Sequence, residues 1–149
     1  MLEEYKKKRD FKKTAEPEGE RSKDEKEENI FVIQEHHARN LHYDLRLEIK
    51  GVLKSWAVPK EPPEKPGIKR LAIRTEDHPL NYADFEGIIP EGQYGAGEVK
   101  IWDRGTFIPE KITGKEILFH LEGKRMKGDY VLIKTGFGKN SWLFFKKKD

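Results

Sequence analysis

The chain contains no cysteine, which excludes disulfide frameworks, thiolate zinc sites and cysteine nucleophiles together. Long apolar runs are missing as well. The longest are four residues, whereas a membrane-crossing helix needs about 20. The N-terminus, Met1-Leu-Glu-Glu-Tyr-Lys-Lys-Lys, has none of the apolar stretch of a secretion signal. These absences point to a soluble, cytoplasmic protein with no membrane partner. Apolar residues are scarce, 35% against 38% charged, which is polar for a globular domain. Neither sign of charge dominates: 30 Lys and Arg stand against 27 Asp and Glu, a net +3. That balance permits a basic patch without demanding one.

What is present is unevenly spread. Residues 1–29 hold nine basic and ten acidic side chains and only five apolar residues, too few to offset the entropy of ordering. They are expected to form a charged, flexible N-terminal arm. Residues 30–149 carry 21 basic and 17 acidic side chains and suffice for one domain with a modest core. From Ile30 onward the period is two, with little sign of 3.6. Leu41–Ile49 alternates apolar and polar without a fault, Lys50-Gly51 makes a tight turn, and Val52–Val58 returns as the partner strand. Pro59–Gly67, with four prolines, is a loop. Ile68–Arg74 reads as a strand and His78–Asp84 as an irregular excursion. Pro90–Gly97 is a glycine-rich loop. Short strands follow at Glu98–Trp102, Gly105–Ile108, Glu116–Glu122, Asp129–Thr135 and Trp142–Lys146. The pattern predicts a mainly-β domain, a sandwich or a closed barrel, with little helix.

Three of the five histidines, His36, His37 and His42, fall within seven residues. Side chains alternate faces along a strand, so His42, Asp44, Arg46 and Glu48 share one face while Leu41, Tyr43, Leu45, Leu47 and Ile49 supply core from the other. His42 and Asp44 stand close enough to converge on one ion, and His36 can fold back as a third ligand. Two imidazoles and a carboxylate suit Mn, Fe or Zn and leave coordination positions open. The bland alternative is a polar strand face that meets solvent. Arg46 weighs against it, since a guanidinium beside a cation calls for an anion between them, and arginine forks match phosphate oxygens. His37 is demanded by no pattern. Trp56 and Trp102 sit in apolar stretches and read as core. The Gly92–Gly97 loop lacks the Lys-Ser/Thr of a P-loop. Lys146–Lys148 reads as a solvated end.

Several long motifs, in order, resemble one family. They are His36 with Leu41–Glu48, Ser55-Trp56-Ala57-Val58-Pro59-Lys60, Glu76–Gly87, and Ile89–Gly97 with Trp102-Asp103. The family is the 3′-phosphoesterase domain of bacterial DNA ligase D, which also occurs as stand-alone proteins in archaea and bacteria. The similarity includes the arm, through Tyr5, Lys8–Phe11, Thr14 and Glu16-Pro17. A chain ending at Asp149 resembles the stand-alone form.

The resemblance implies a compact β-barrel with a site in a surface concavity. It implies a manganese-dependent enzyme that removes a 3′-terminal ribonucleoside to leave a 3′-phosphate, then hydrolyses that phosphate to a 3′-hydroxyl. Metal ligands carry over onto His36, His42 and Asp44, where Co²⁺ or Zn²⁺ could replace Mn²⁺. Phosphate contacts carry over onto Arg46, Arg70, His78 and Tyr82, with Lys60 and Glu76 as further site positions. Asp10 and Glu16 match positions that assist the diesterase step. The implied partners are DNA or RNA 3′ ends, a primer-template bearing a 3′-ribonucleotide, and a DNA ligase or end-joining factors; the chain is expected to be a monomer. The plainer readings are Arg70 as a solvated charge, His78 as a turn residue and Tyr82 as a half-buried aromatic; at the site His78 is either a phosphate donor or the general acid. A competing function is a non-catalytic barrel that binds single-stranded nucleic-acid ends, which leaves the clustering of His36, His42, Asp44 and Arg46 without a reason.

Overall fold

Period-two alternation makes strands, and here their pairing makes a ring. The computed structural model describes residues 2–17 and 29–148. Among these, nine strands form: β1 (Ile30–His37), β2 (Leu41–Ile49), β3 (Val52–Val58), β4 (Lys69–His78), β5 (Gly87–Ile89), β6 (Gly97–Ile112), β7 (Glu116–Glu122), β8 (Lys127–Lys134) and β9 (Ser141–Lys146). A short helix, α1 (Glu3–Lys7), precedes them, and a 3₁₀ turn spans Leu80–Asp84. Neighbours run β1-β2-β3-β4-β9-β8-β7-β6, and β6 returns to β1. Every pairing in this ring is antiparallel. Eight strands therefore close the expected barrel, which removes their free edges, and β5 adds to β6 as a ninth.

The interior is filled by the inward set of each strand: Phe31, Ile33, Leu45, Leu47, Trp56, Phe107, Phe119 and Phe144 among others. Each such side chain stabilises the fold by about 1.5–3 kcal/mol on burial. Trp56 is core as expected, and Trp102 packs against it. Lys50 and Gly51 both take positive φ, 53° and 81°, the geometry of a two-residue hairpin turn.

Three departures from the expected elements have local causes. The strands expected at Glu98–Trp102 and Gly105–Ile108 are one continuous β6. Asp103, which reads as a break, instead accepts the backbone N–H groups of Lys124, Arg125 and Met126 at 2.9, 3.1 and 2.8 Å, so its charge is satisfied inside the sheet. β4 runs on to His78 past a register shift against β3. The first part of the arm is packed. Tyr5 is 0% exposed within a second apolar cluster on the outside of the barrel, with Val32, Leu53, Leu80, Tyr82, Phe85 and Ile89, and its hydroxyl donates to the Pro17 carbonyl at 2.5 Å. This corrects the expectation of a flexible arm for residues 2–17; residues 18–28 lie outside the described residues. The barrel thus has an inner core and an outer cap, and the polar face of β2 is caught between barrel wall and cap.

Candidate active site

Register alone sets the first contacts. On the outer face β1 and β2 pair His36 with His42 and Gln34 with Asp44, and β2 and β3 pair Arg46 with Ser55. The extra residue that β4 accommodates before His78 puts Thr75 and His78 on the same side, where strict alternation would oppose them. Of these, His36, His42, Asp44, Arg46, Thr75 and His78 line a cavity of about 340 Å³ with Glu76, Tyr82, Tyr94 and Arg9, and Gln34 and Ser55 bond Arg46. The polar face of β2 does not meet solvent: Asp44 and Arg46 are 6% and 4% exposed.

At one end of the cavity His36, His42 and Asp44 form a group whose donor atoms all lie within 4.8 Å of one another. His36 Nε2 donates to the Gly95 carbonyl at 2.7 Å, and His42 Nδ1 donates to the Asn40 carbonyl at 3.1 Å. A carbonyl only accepts, so these bonds assign the protons and leave lone pairs on His36 Nδ1 and His42 Nε2. Those atoms stand 3.5 and 3.3 Å from Asp44 Oδ2. Three acceptors facing one another repel unless a cation sits among them, and outer carbonyls that orient ligand imidazoles are usual at metal sites. Burial by itself would raise the Asp44 carboxyl, yet the Arg46 charge and, when they carry a proton toward it, the two imidazoles outweigh burial and hold the group well below the carboxylate range. Burial pulls His42 down, but with no metal ion a proton on Nε2 would bond Asp44, which more than compensates and raises its pKa. The group can hold a metal ion.

Arg46 bridges this end to the other. Its Nη2 is 3.5 Å from Asp44 Oδ2, its Nε donates to Gln34 at 2.7 Å and its Nη1 to Ser55 at 2.9 Å. Gln34 in turn donates to the Tyr82 and Phe85 carbonyls, tying the 3₁₀ turn to the barrel. His78 Nδ1 lies 3.0 Å from the Glu76 carbonyl and 3.2 Å from Arg46 Nη1, while its Nε2 faces Arg9 Nη2 at 3.4 Å. Burial, then repulsion from Arg46 and Arg9, pushes His78 well below the ordinary imidazole value, so it is neutral at pH 7. Tyr82 lies under the Arg46 guanidinium at 4.9 Å and donates to Glu16 at 2.6 Å. Burial, with Glu16 alongside, pushes its phenol well up.

Of the expected residues, the structure brings His36, His42, Asp44, Arg46, Glu76, His78 and Tyr82 to the cavity. Glu16 is buried behind Tyr82, accepting from Arg9 and Thr14. Three are not brought there. Arg70 donates to the Glu61 carbonyl over a separate depression, Lys60 is exposed after β3, and Asp10 is exposed and accepts from the Lys12 N–H. Gln34, Ser55, Arg9 and Tyr94 were not expected. Gln34 sits two residues before His36 on the same face, so alternation could have found it. Arg9 comes from the arm, and no spacing rule connects it to β4.

The profile of the DNA ligase D 3′-phosphoesterase domain matches residues 34–134, the span that carries all three acceptors and Arg46. The chain belongs to this family. Among relatives, it is 48% identical to the multifunctional non-homologous end joining protein LigD of Pseudomonas aeruginosa, over 99% of this chain and 19% of that protein. It is 50% identical to the multifunctional non-homologous end joining DNA repair protein LigD of Mycobacterium tuberculosis, over 99% and 20%. The protein of Mycolicibacterium smegmatis gives 47%, over 99% and 21%. The chain therefore spans about a fifth of the length of the relatives it matches. No helix among the described residues is long and apolar enough to cross a membrane.

Proposed function

We propose that this phosphoesterase-family chain heals 3′ ends in end-joining repair, with manganese held by His36, His42 and Asp44. It would remove a 3′-terminal ribonucleoside and then hydrolyse the remaining 3′-phosphate to a hydroxyl. The observation that carries the reading is the gathering of His36, His42 and Asp44 beside the buried Arg46 in the lining of one cavity. Co²⁺ or Zn²⁺ suits the same donor set. A divalent ion bound there supplies Lewis acidity at a non-bridging phosphate oxygen.

The chain's own groups supply the rest. The remaining N–H capacity of Arg46 meets charge building on the phosphate oxygens, a contribution of about 2.7–4 kcal/mol for one well-placed donor in other enzymes. Neutral His78, pressed by two guanidiniums, serves as a hydrogen-bonding neighbour of the phosphate rather than as a store of acid. In the diesterase step the water oxygen bonds phosphorus and the bond from phosphorus to the nucleoside 5′-oxygen breaks. The nucleoside oxygen takes a proton, leaving a free nucleoside and a strand 3′-phosphate. A bound ribose is told from deoxyribose by its 2′-hydroxyl. The decisive experiment is a 5′-labelled primer-template ending in one ribonucleotide, incubated with and without manganese. Manganese-dependent shortening to a 3′-phosphate and then a 3′-hydroxyl is the expected result. Binding without cleavage would instead identify a non-catalytic end-binding barrel.

A further inference from the structure

We infer that a second cavity, sharing a wall with the first, is the pocket for the 3′-terminal ribonucleoside. The inference rests on the function proposed above and adds where the leaving group sits. The cavity measures about 410 Å³ and shares Thr75, Glu76 and Tyr94 with the catalytic cavity. A phosphodiester has two arms, the retained strand and the departing nucleoside, so a site centred on the phosphorus needs room on both sides. This neighbour supplies the second room.

Charge decides which arm it takes. Lys8 is held by Glu76 at 3.1 Å and by Glu4 at 3.4 Å, and Arg74 by Asp77 at 2.9 Å. Arg9 and Lys54 pair further with Glu76 and Asp77, at 3.3 and 3.2 Å, so these mutually paired groups leave no free cation, among the described residues lining the cavity, for a phosphate-bearing strand. They suit a neutral nucleoside, whose hydroxyls and base N–H groups donate to carboxylates. Tyr94 supplies a stacking face. It is 47% exposed, and its ring is held by Lys8 Nζ at 4.6 Å and Arg9 at 5.3 Å from the centroid. Aromatic faces of this kind stack any base. Asn140, just before β9, lines the cavity and offers an amide donor and acceptor to a base edge. Its carbonyl accepts the Arg74 N–H at 2.8 Å, a backbone bond that survives truncation of the side chain. The residue after Tyr94, Gly95, holds the metal-ligand candidate His36 through its carbonyl, so the stacking face and the acceptor group are linked through one loop.

The test compares full-length Tyr94→Ala, Tyr94→Phe and Asn140→Ala on two strands, one ending in a ribonucleoside and one in a 3′-phosphate, with manganese present. The ratio of ribonucleoside removal to 3′-phosphate hydrolysis should fall about tenfold in Tyr94→Ala, the loss of one base stack, and fall in Asn140→Ala. It should fall less in Tyr94→Phe, which keeps the ring, than in Tyr94→Ala, and stay at the wild-type value in Phe137→Ala, a substitution at the exposed tip of the same hairpin. Free adenosine should inhibit ribonucleoside removal by wild type and leave 3′-phosphate hydrolysis untouched, a measurement that needs no variant to fold. Unchanged ratios with both activities present, or equal inhibition of both steps by adenosine, would overturn the pocket and leave the enzyme assignment standing. Absence of both activities from the wild type would overturn the function and the pocket with it.

Discussion

His42 and Arg46 both lie against the Asp44 carboxylate, at 3.3 and 3.5 Å, yet replacing them should cost different things. His42 is partly exposed, so His42→Ala should abolish manganese binding in calorimetric titration and both esterase steps while barely moving the melting temperature. Arg46 is buried and bonded to Gln34 and Ser55. Arg46→Ala should lower turnover and also cost about 3–5 kcal/mol of stability, because it leaves Asp44 buried with less compensation. Leu45→Ala, on the opposite face and fully buried, should cost about 2–5 kcal/mol and leave metal affinity intact. Urea unfolding of the three proteins, set beside their manganese titrations, checks the face assignment. His78 adds a pH signature. Its folded pKa is depressed and its unfolded value is about 6.5, so the unfolded chain binds more protons below that point. Stability should therefore fall as pH drops through about 6.5. In the presence of a chelator, His78→Asn should melt with a flatter pH dependence between pH 7 and 5 than wild type. Parallel slopes would contradict the neutral assignment.

The N-terminal segment behaves as part of the wall. Tyr5 contacts the rings of Phe11, His78 and Tyr82, and Arg9 reaches Glu16, Glu76 and His78. Tyr5→Ala should cost about 3–5 kcal/mol, as other large core truncations do, measured by chemical unfolding; a loss below about 1 kcal/mol, the size of an ordinary surface change, would return the segment to a loose arm. The entry to β6 is equally tight. Gly97 has φ 136° and no room for a Cβ against the His37 carbonyl, so Gly97→Ala should displace the loop that supports His36 and weaken metal binding. Legibility in the sequence follows from how local each element's cause is. β2 was readable because alternation over nine residues needs no distant information, and it carried His42, Asp44 and Arg46 with it. The arm was not, because its few apolar residues are enough only when a barrel wall waits to receive Tyr5. Arg70 was placed at the site by resemblance; in the fold its strand position faces the Glu61 loop.

For the molecule as a whole, the ion proposed at His36, His42 and Asp44 would make binding and folding one equilibrium. An ion that binds only the native state at about one hundred times its dissociation constant adds about 2.7 kcal/mol. For a chain this size that is about 5–11 °C in melting temperature, at about 2–4 °C per kcal/mol. Manganese should give this shift in wild type and none in His42→Ala, by calorimetry and without any substrate. Barrel closure itself was foreseeable from the spacing of short strands, whereas the outer cap, built from α1, the 3₁₀ turn and β5, has too few residues per element to show a period. The pairing of β1 with β6 also sets an order of events during synthesis. His36, His42 and Asp44 all lie in the β1–β2 hairpin, among the first parts of the domain to leave the ribosome, since chains grow from the N-terminus. The outer edge of β1 then waits unpaired until Glu98–Thr106 has been made. During that interval the nascent chain presents an open strand edge, a template for pairing with other chains, beside the hairpin that carries His36, His42 and Asp44.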